Sequence, residues 1–170
     1  MNTHTTWTRQ LFVRELRCLI AELALFPDED LVWATAPGVL NSAGNITLHL
    51  CGNLQHFVGH ILGGSDYARN RDLEFSQRDV PRTVLIAEIE KTIAVVTSTL
   101  AERPDAALLE EYPDVLGDFR LPCGLFLQHL SAHLAYHIGQ VGYLRRILAN
   151  DSRSAGAILM RELAGLAPRS

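Results

Sequence analysis

Four long stretches with apolar side chains three and four positions apart constrain the fold of this chain most. They cover residues 7–26, 45–62, 82–101 and 122–148. This spacing places the apolar side chains on one face of an α-helix, and none of the stretches has the two-residue alternation of a β-strand. The stripe of the first stretch consists of Phe12, Leu16, Leu19, Leu23 and Phe26, and that of the third of Leu85, Ile89, Ile93, Val96 and Leu100. The sequence therefore predicts an all-α protein.

The breaks between these stretches indicate how the helices are connected. Asn45 is a candidate N-cap for the second helix, and Gly63 with the glycine after it is a candidate stop. The connections on both sides of that helix are long, and such loops are uncommon in compact domains. We expect a four-helix bundle with a long crossover, residues 65–81, between helices two and three. A short amphipathic C-terminal helix is predicted over residues 154–166.

Composition excludes several classes of protein. The 170 residues fit a single domain, residues 1–170, and 48% hydrophobic with 20% charged residues is typical of a globular chain. The net charge of −4 argues against a nucleic-acid partner. No apolar run is long enough for a membrane span, and the first residues lack a basic-then-apolar pattern, so we expect neither a membrane span nor a secretory leader. Three widely spaced cysteines favour a reducing cytoplasm; they are Cys18, Cys51 and Cys123.

Histidine is distributed unevenly along the chain. Of the seven histidines, six fall in the second and fourth helical stretches. At about 100° per residue, one face of the second helix carries His49, Asn53, His56 and His60. One face of the fourth carries His129, His133, His137 and Gln140. Cys51 also lies in the second helical stretch, near its histidines.

Histidines four positions apart on a helix lie about 5–6 Å apart at Cβ and can share one metal ion. A third imidazole from a facing helix completes a three-nitrogen site with an open position, which is the pattern of a catalytic metal. His56 lies two turns, about 10 Å, from His49 along the axis, so His56 and His60 are expected outside such a site. Spacing alone leaves open that the histidines are packing or surface residues.

Other chemistries lack their motifs. There is no HExxH of the zinc peptidases and no Glu-x-x-His of the carboxylate-bridged di-iron proteins. Nothing matches a nucleophile elbow, a dinucleotide-binding glycine motif or a phosphate-binding loop. Serine-hydrolase and nucleotide-dependent functions therefore have no support, and no catalytic residue is assigned.

Three segments resemble the DinB/YfiT-like superfamily. They read NITLHLCGN (residues 45–53), YARNRDLEF (67–75) and HLAYHIGQ (133–140), the middle one being similar to a DinB-like subgroup of uncharacterised bacterial proteins. The resemblance implies a four-helix bundle with a crossover, frequent homodimers and thiol-dependent S-transferases among its members. It also implies a divalent metal, most often nickel or zinc, whose ligands here are His49, His133 and His137.

A three-histidine metal centre lowers the pKa of a bound water or thiol. The sequence, with this resemblance, therefore predicts a metal-dependent thiol-dependent S-transferase or hydrolase that acts on a small molecule, with a low-molecular-weight thiol as partner. The alternative is a non-catalytic metal-binding or stress-related interaction module. Residues expected to support a ligand or line the pocket, or else to have structural roles, are Asn53, His56, Tyr136 and Gln140.

The crossover carries charges of both signs. Arg69, Arg71 and Arg78 alternate with acidic residues that include Glu74. Guanidinium groups suit a carboxylate or phosphate of a substrate. Interspersed charges are nevertheless normal on a solvated surface, and we favour that interpretation for this loop.

Overall fold

The computed structural model describes residues 2–101, 103–114, 117–155 and 163. The described residues form α-helices and no named strand, so the predicted all-α class is confirmed for them. The helices are α1 (Thr3–Ala24), α2 (Glu29–Trp33), α3 (Ala43–Leu54), α4 (Arg71–Ser76), α5 (Arg82–Ala101) and α6 (Cys123–Ala149). A π-helical turn (Gln55–Leu62) continues α3, and a 3₁₀ turn (Asp105–Leu108) precedes α6.

The four long helices contact one another through their apolar faces. Both α1 and α3 pack against α5 and α6, while the short α2 and α4 pack on α3. The predicted α1 stripe is confirmed, since all five of its residues are buried in the core. On α5 the stripe differs at one position, because Thr92 is fully buried where Ile93 was expected. The Thr92 hydroxyl donates to the Glu88 carbonyl (2.8 Å), which satisfies it inside the core.

The second predicted helix is present, but it begins and ends differently from the expectation. Ser42, and not Asn45, is the N-cap, because its hydroxyl accepts from the Asn45 backbone N–H (3.1 Å). The amide side chain of Asn45 instead donates to two carbonyls of the crossover. After Leu54 the backbone changes to π-helical geometry, a rare form that is frequent at functional sites. The run ends at Gly63 as predicted, and Gly64 follows with a φ of +68°.

The two long connections contain helices that periodicity did not predict, because α2 and α4 are only five and six residues long. Helix α4 lies in the crossover, where the Asn70 side chain caps it by accepting from the Leu73 N–H (3.1 Å). The predicted C-terminal helix, residues 154–166, lies outside the described residues except for 154, 155 and 163, which are not helical. Among the described helices, none has the length and apolar character needed to cross a membrane.

Candidate metal centre

Three histidines converge between α3 and α6. His49 lies on α3, and His133 and His137 lie one turn apart on α6. Each offers a ring nitrogen, and these three nitrogens all lie within 4.8 Å of one another. The rings of His133 and His137 meet edge to face, with centroids 4.5 Å apart. The structure thus brings together the three residues that the family resemblance indicated.

The separation of the nitrogens suits a divalent metal. Nε2 of His49 and Nε2 of His133 are 3.3 Å apart. Tetrahedral ligands at metal–nitrogen bonds of about 2.0–2.1 Å have nitrogens about 3.3–3.4 Å apart. One edge of the group therefore already has the length that a four-coordinate ion requires. Three protein ligands leave one position of such an ion open.

Burial favours the neutral form of the two α6 histidines in the cluster, His133 and His137. Burial, together with the nearby His137 and His49 rings, lowers the pKa of His133 to about 4. Burial also lowers the pKa of His137, which a hydrogen bond with Gln140 partly counteracts. A neutral imidazole keeps the lone pair that a metal needs. His133 and His137 are therefore able to act as ligands at neutral pH.

Two of the three rings make a hydrogen bond through Nδ1, the ring nitrogen on the side away from the cluster. Nδ1 of His137 lies 2.7 Å from Oε1 of Gln140, and Nδ1 of His49 lies 2.9 Å from Oε2 of Glu74. In both cases the far nitrogen, Nε2, remains for the cluster. Metal-binding histidines usually have such a partner on the second ring nitrogen, because it fixes the ring orientation and the proton. Of the two roles considered for Gln140, the structure shows the contact with a histidine of the cluster.

The partner of His49 comes from the crossover. Arg69 donates two hydrogen bonds to the Glu74 carboxylate, from Nε to Oε1 (2.7 Å) and from Nη2 to Oε2 (3.0 Å). Burial raises the pKa of Glu74, but the hydrogen bonds from His49 and Arg69 outweigh it and hold that pKa below its usual value. The carboxylate is thus a fixed negative charge beside the histidine cluster.

Local backbone features make room for this carboxylate. A Cβ at Gly52 would lie 2.2 Å from Oε1 of Glu74, so only glycine at that position of α3 lets the side chain lie against the helix. The Asn45 amide donates to the carbonyls of Glu74 (3.0 Å) and Gln77 (3.1 Å), which docks the end of α4 on α3. The Phe75 ring then packs on His49, with centroids 5.0 Å apart.

The solvated-loop interpretation of the crossover is wrong for Arg69 and Glu74. Their side chains are only 13% and 6% exposed, and they contact the histidine cluster. It holds for Arg71 and Arg78, which are exposed. Sequence reasoning included Glu74 only among surface charges. The one signal for it was the YARNRDLEF segment, whose resemblance to a family subgroup set it apart from an ordinary loop.

The remaining histidines of the two helices lie outside the cluster. Among the described residues, the group of possible ligands contains neither His56, His60 nor His129. The rings of His56 and His60 stack on each other, with centroids 5.8 Å apart, and a ring nitrogen of His60 contacts the Ser65 carbonyl. His129 stacks on Phe126, with centroids 6.0 Å apart.

The other candidate pocket residues differ in their surroundings. Asn53 is buried, and its Oδ1 accepts no hydrogen bond from the described residues. The Tyr136 side chain is exposed and packs edge-on against the His137 ring. Cys51 is buried, which raises its thiol pKa to about 12, so it remains a protonated core residue.

Comparison with known proteins gives one match. Residues 4–159 match a family described as "Protein of unknown function (DUF1572)", which spans most of the chain and includes all three histidines of the cluster. No curated protein and no solved structure matches the chain.

Proposed function

We propose that this chain, which belongs to the DUF1572 family of proteins of unknown function, is a metal-dependent enzyme with a three-histidine centre. The observation that carries the proposal is the convergence of three imidazole nitrogens from two helices within 4.8 Å. The cluster contains no carboxylate or thiolate ligand among the described residues. Neutral ligands leave a divalent ion its full charge, and three of them leave a position for a substrate.

The reaction class that we propose is thiol-dependent S-transfer, with hydrolysis as the second possibility in the same site. A divalent ion held by His49, His133 and His137 supplies Lewis acidity, which lowers the pKa of a coordinated water or thiol. The chain itself fixes the ligand rings and shields them from bulk water. The substrate we propose is a small molecule, with a low-molecular-weight thiol as its partner, and the metal is nickel or zinc.

The likeness to the DinB/YfiT-like superfamily is part of this proposal. The three quoted segments support it. The two segments that contain histidine supply all three residues of the cluster, and the middle segment supplies Glu74, which contacts His49. We also propose the bundle of that superfamily for the four long helices, because α1 and α3 each contact both α5 and α6. The crossover would then be the connection that contains α4.

We also propose a cellular location and an oligomeric state. A cytoplasmic location is consistent with three free, buried cysteines, which need no oxidising compartment. A homodimer is consistent with large apolar side chains on the surface, including Trp7, Leu109 and Leu125. Light scattering at micromolar concentration tests the second, and a monomer there would contradict it.

Cobalt substitution tests the proposed activity. The cobalt-loaded protein is titrated with several biological thiols while its visible spectrum is recorded. A thiol that occupies the open position adds a sulfur-to-cobalt band and changes the ligand-field bands. The His133→Ala variant, treated in the same way, is the control for cobalt bound elsewhere.

Each outcome separates the candidate functions. A spectral change with a thiol supports S-transfer. If no thiol changes the spectrum but small anions do, the open position exists and hydrolysis becomes the better proposal. If neither does, the coordination is closed and the non-catalytic metal-binding module replaces the enzyme. If the untagged protein binds no metal by elemental analysis, the proposed function is wrong.

A further inference from the structure

We infer that Glu74 is a positioning residue of the metal centre, which places the proton of His49 on Nδ1 and thereby presents Nε2 to the metal. This inference rests on the proposed function for its purpose. It also makes a claim about the metal-free protein that stands independently. The crossover is then part of the centre, because the residues that control His49 lie on it.

The contacts of His49 determine where its proton lies. Glu74 Oε2 is 2.9 Å from Nδ1, whereas Arg69 Nη2 is 3.4 Å from the same nitrogen. An ionised carboxylate only accepts hydrogen bonds, and a guanidinium only donates them. The shorter contact is the one to the carboxylate, so Nδ1 donates and carries the hydrogen. Nε2 consequently has the free lone pair on the side that faces His133.

The arrangement is rigid because the carboxylate is held on several sides. Arg69 binds both of its oxygens, and this paired geometry is stronger and more directional than a single contact. The Asn45 side chain binds the backbone of Glu74 at the end of α4. Gly52 leaves the space that the carboxylate occupies. The group of possible metal ligands among the described residues does not include Glu74, so its role is to position His49.

The supports of the two helices differ in chemistry. His137 is supported by the neutral amide of Gln140, which is exposed, whereas His49 is supported by a buried carboxylate. A carboxylate that accepts from a ligand imidazole raises its basicity, and loss of such a partner typically lowers metal affinity about 10–100-fold. Removal of Glu74 should therefore weaken the centre more than removal of Gln140.

The first measurement uses metal-free protein. Histidine-selective ¹⁵N labelling and long-range ¹H–¹⁵N spectra report which ring nitrogen of His49 carries hydrogen. We expect the Nδ1–H form of His49 in the wild type and a loss of that preference in Glu74→Gln, whose amide can also donate. A His49 that is Nε2–H in the wild type would overturn the inference.

The second measurement is zinc affinity, by competition with a chelator. Glu74→Gln should bind zinc about 10–100-fold more weakly than the wild type. The matched control is Glu88→Gln. It removes a carboxylate that accepts from Gln55 (2.6 Å) on the π-helical turn and that, within the described part of the chain, contacts no histidine of the cluster. That control should change affinity by less than about threefold, because only screened, longer-range attraction is lost.

The two measurements keep the inference separate from the proposed function. If zinc binds but Glu74→Gln and Glu88→Gln weaken it equally, positioning is contradicted and the metal centre stands. If the wild type binds no zinc and yet shows the Glu74-dependent tautomer, the proposed function fails and the placement of the proton stands. Circular dichroism confirms that each variant is folded. If Glu74→Gln is unfolded, Arg69→Lys, which keeps the charge but loses the paired contact, should show the same effects in weaker form.

Discussion

The structure contains two histidine pairs with the same sequence spacing and different geometry. His133 and His137 are four residues apart on α6, and their rings meet at 78° with centroids 4.5 Å apart. His56 and His60 are also four apart, but their rings stack at 20° with centroids 5.8 Å apart. Only the first pair belongs to the three-histidine cluster. A four-residue spacing of two histidines on a helix is therefore not sufficient for a metal site.

The difference has two physical causes. The first pair lies on a regular α-helix that faces His49, so a third nitrogen completes the group. The second pair lies on the π-helical turn, whose hydrogen bonds span five residues, so its backbone is not that of a regular α-helix. There a ring nitrogen of His60 contacts the Ser65 carbonyl instead. Backbone geometry and a facing partner together decide which pair can bind a metal.

The largest expected effect comes from removing the first pair. His133→Ala with His137→Ala should abolish stoichiometric binding of zinc or nickel, because a single imidazole of the cluster remains. The matched control is His56→Ala with His60→Ala, which removes the same number of imidazoles and should leave affinity close to that of the wild type. Isothermal titration calorimetry measures both. Full occupancy in the first double variant would refute the assignment of the site.

A pair of glycine substitutions tests how far the first pair depends on the Glu74 contact that orients its facing partner, His49. Gly52→Ala places a methyl group 2.2 Å from the Glu74 carboxylate and should displace it, so zinc affinity should fall about 10–100-fold. Gly139→Ala on α6 has no atom within 4 Å of the new methyl group. It should leave affinity unchanged and raise the free energy of unfolding by about 0.5–1 kcal/mol.

Chelator competition and urea unfolding provide the two numbers for each glycine variant. A Gly52→Ala protein that is folded and binds zinc like the wild type would show that the close approach of Glu74 is unimportant. If Gly52→Ala and Gly139→Ala lowered zinc affinity equally, the loss would come from any added methyl group on these helices and not from displacement of Glu74.

Gln140→Leu should have a smaller effect on the first pair. It removes the acceptor that holds Nδ1 of His137, and because Gln140 is exposed, water replaces it in part. We expect zinc affinity to fall up to about tenfold, the low end for loss of such a partner. Gln128→Leu, at an exposed position of the same helix, is the control. A loss as large as that of Glu74→Gln would contradict the difference between amide and carboxylate supports.

The smallest effect on zinc affinity is expected at Asp105, whose hydrogen bonds go to the start of α1 and not to either histidine pair. Its carboxylate accepts from the backbone N–H of Thr5 (2.9 Å) and of His4 (3.2 Å) at the start of α1. The Thr5 backbone contact is the main cause that lowers the pKa of Asp105 to about 2, from 3.8. A lowered pKa in the folded state stabilises the protein above about pH 4, and this stabilisation is lost as pH falls toward 2.

Asp105→Asn should therefore flatten the loss of stability between pH 4 and 2 and leave zinc affinity at neutral pH unchanged. Urea unfolding at several pH values measures the first, and chelator competition measures the second. If Asp105→Asn did change zinc affinity, affinity would depend on the overall stability of the protein. The difference between the two histidine pairs could then not be assigned to local geometry alone.

Much of the helical architecture could be predicted from local patterns. The α1 stripe and the span of α5 followed from periodicity, because burying one face of a long helix requires apolar residues at three- and four-residue intervals. The short helices α2 and α4 could not be predicted in this way, since five or six residues give no periodic signal. The prediction that Asn45 caps the second helix was wrong. Ser42 caps that helix, and the Asn45 side chain binds the crossover instead.

Ionic contacts between distant parts of the chain were also beyond local reasoning. Arg145 is fully buried in an ion pair with Glu22, from Nε to Oε2 at 2.6 Å, and this pair joins α6 to α1. Charged residues are almost never fully buried unless they are paired. The partner of a charge 123 residues away leaves no trace in helical periodicity.

For the candidate site, the sequence by itself determined that imidazoles would recur along one face of each of two helices, because helical geometry repeats about every 3.6 residues. The family resemblance then selected His49, His133 and His137 from among them. Helical spacing from His49 also placed His56 and His60 outside the site. Only the tertiary structure decided that Glu74 and Arg69 lie beside His49, on the side away from the cluster. The physical reason is that ring orientation and proton position depend on partners brought in by the packing of distant segments, and those partners are outside the range of any local pattern.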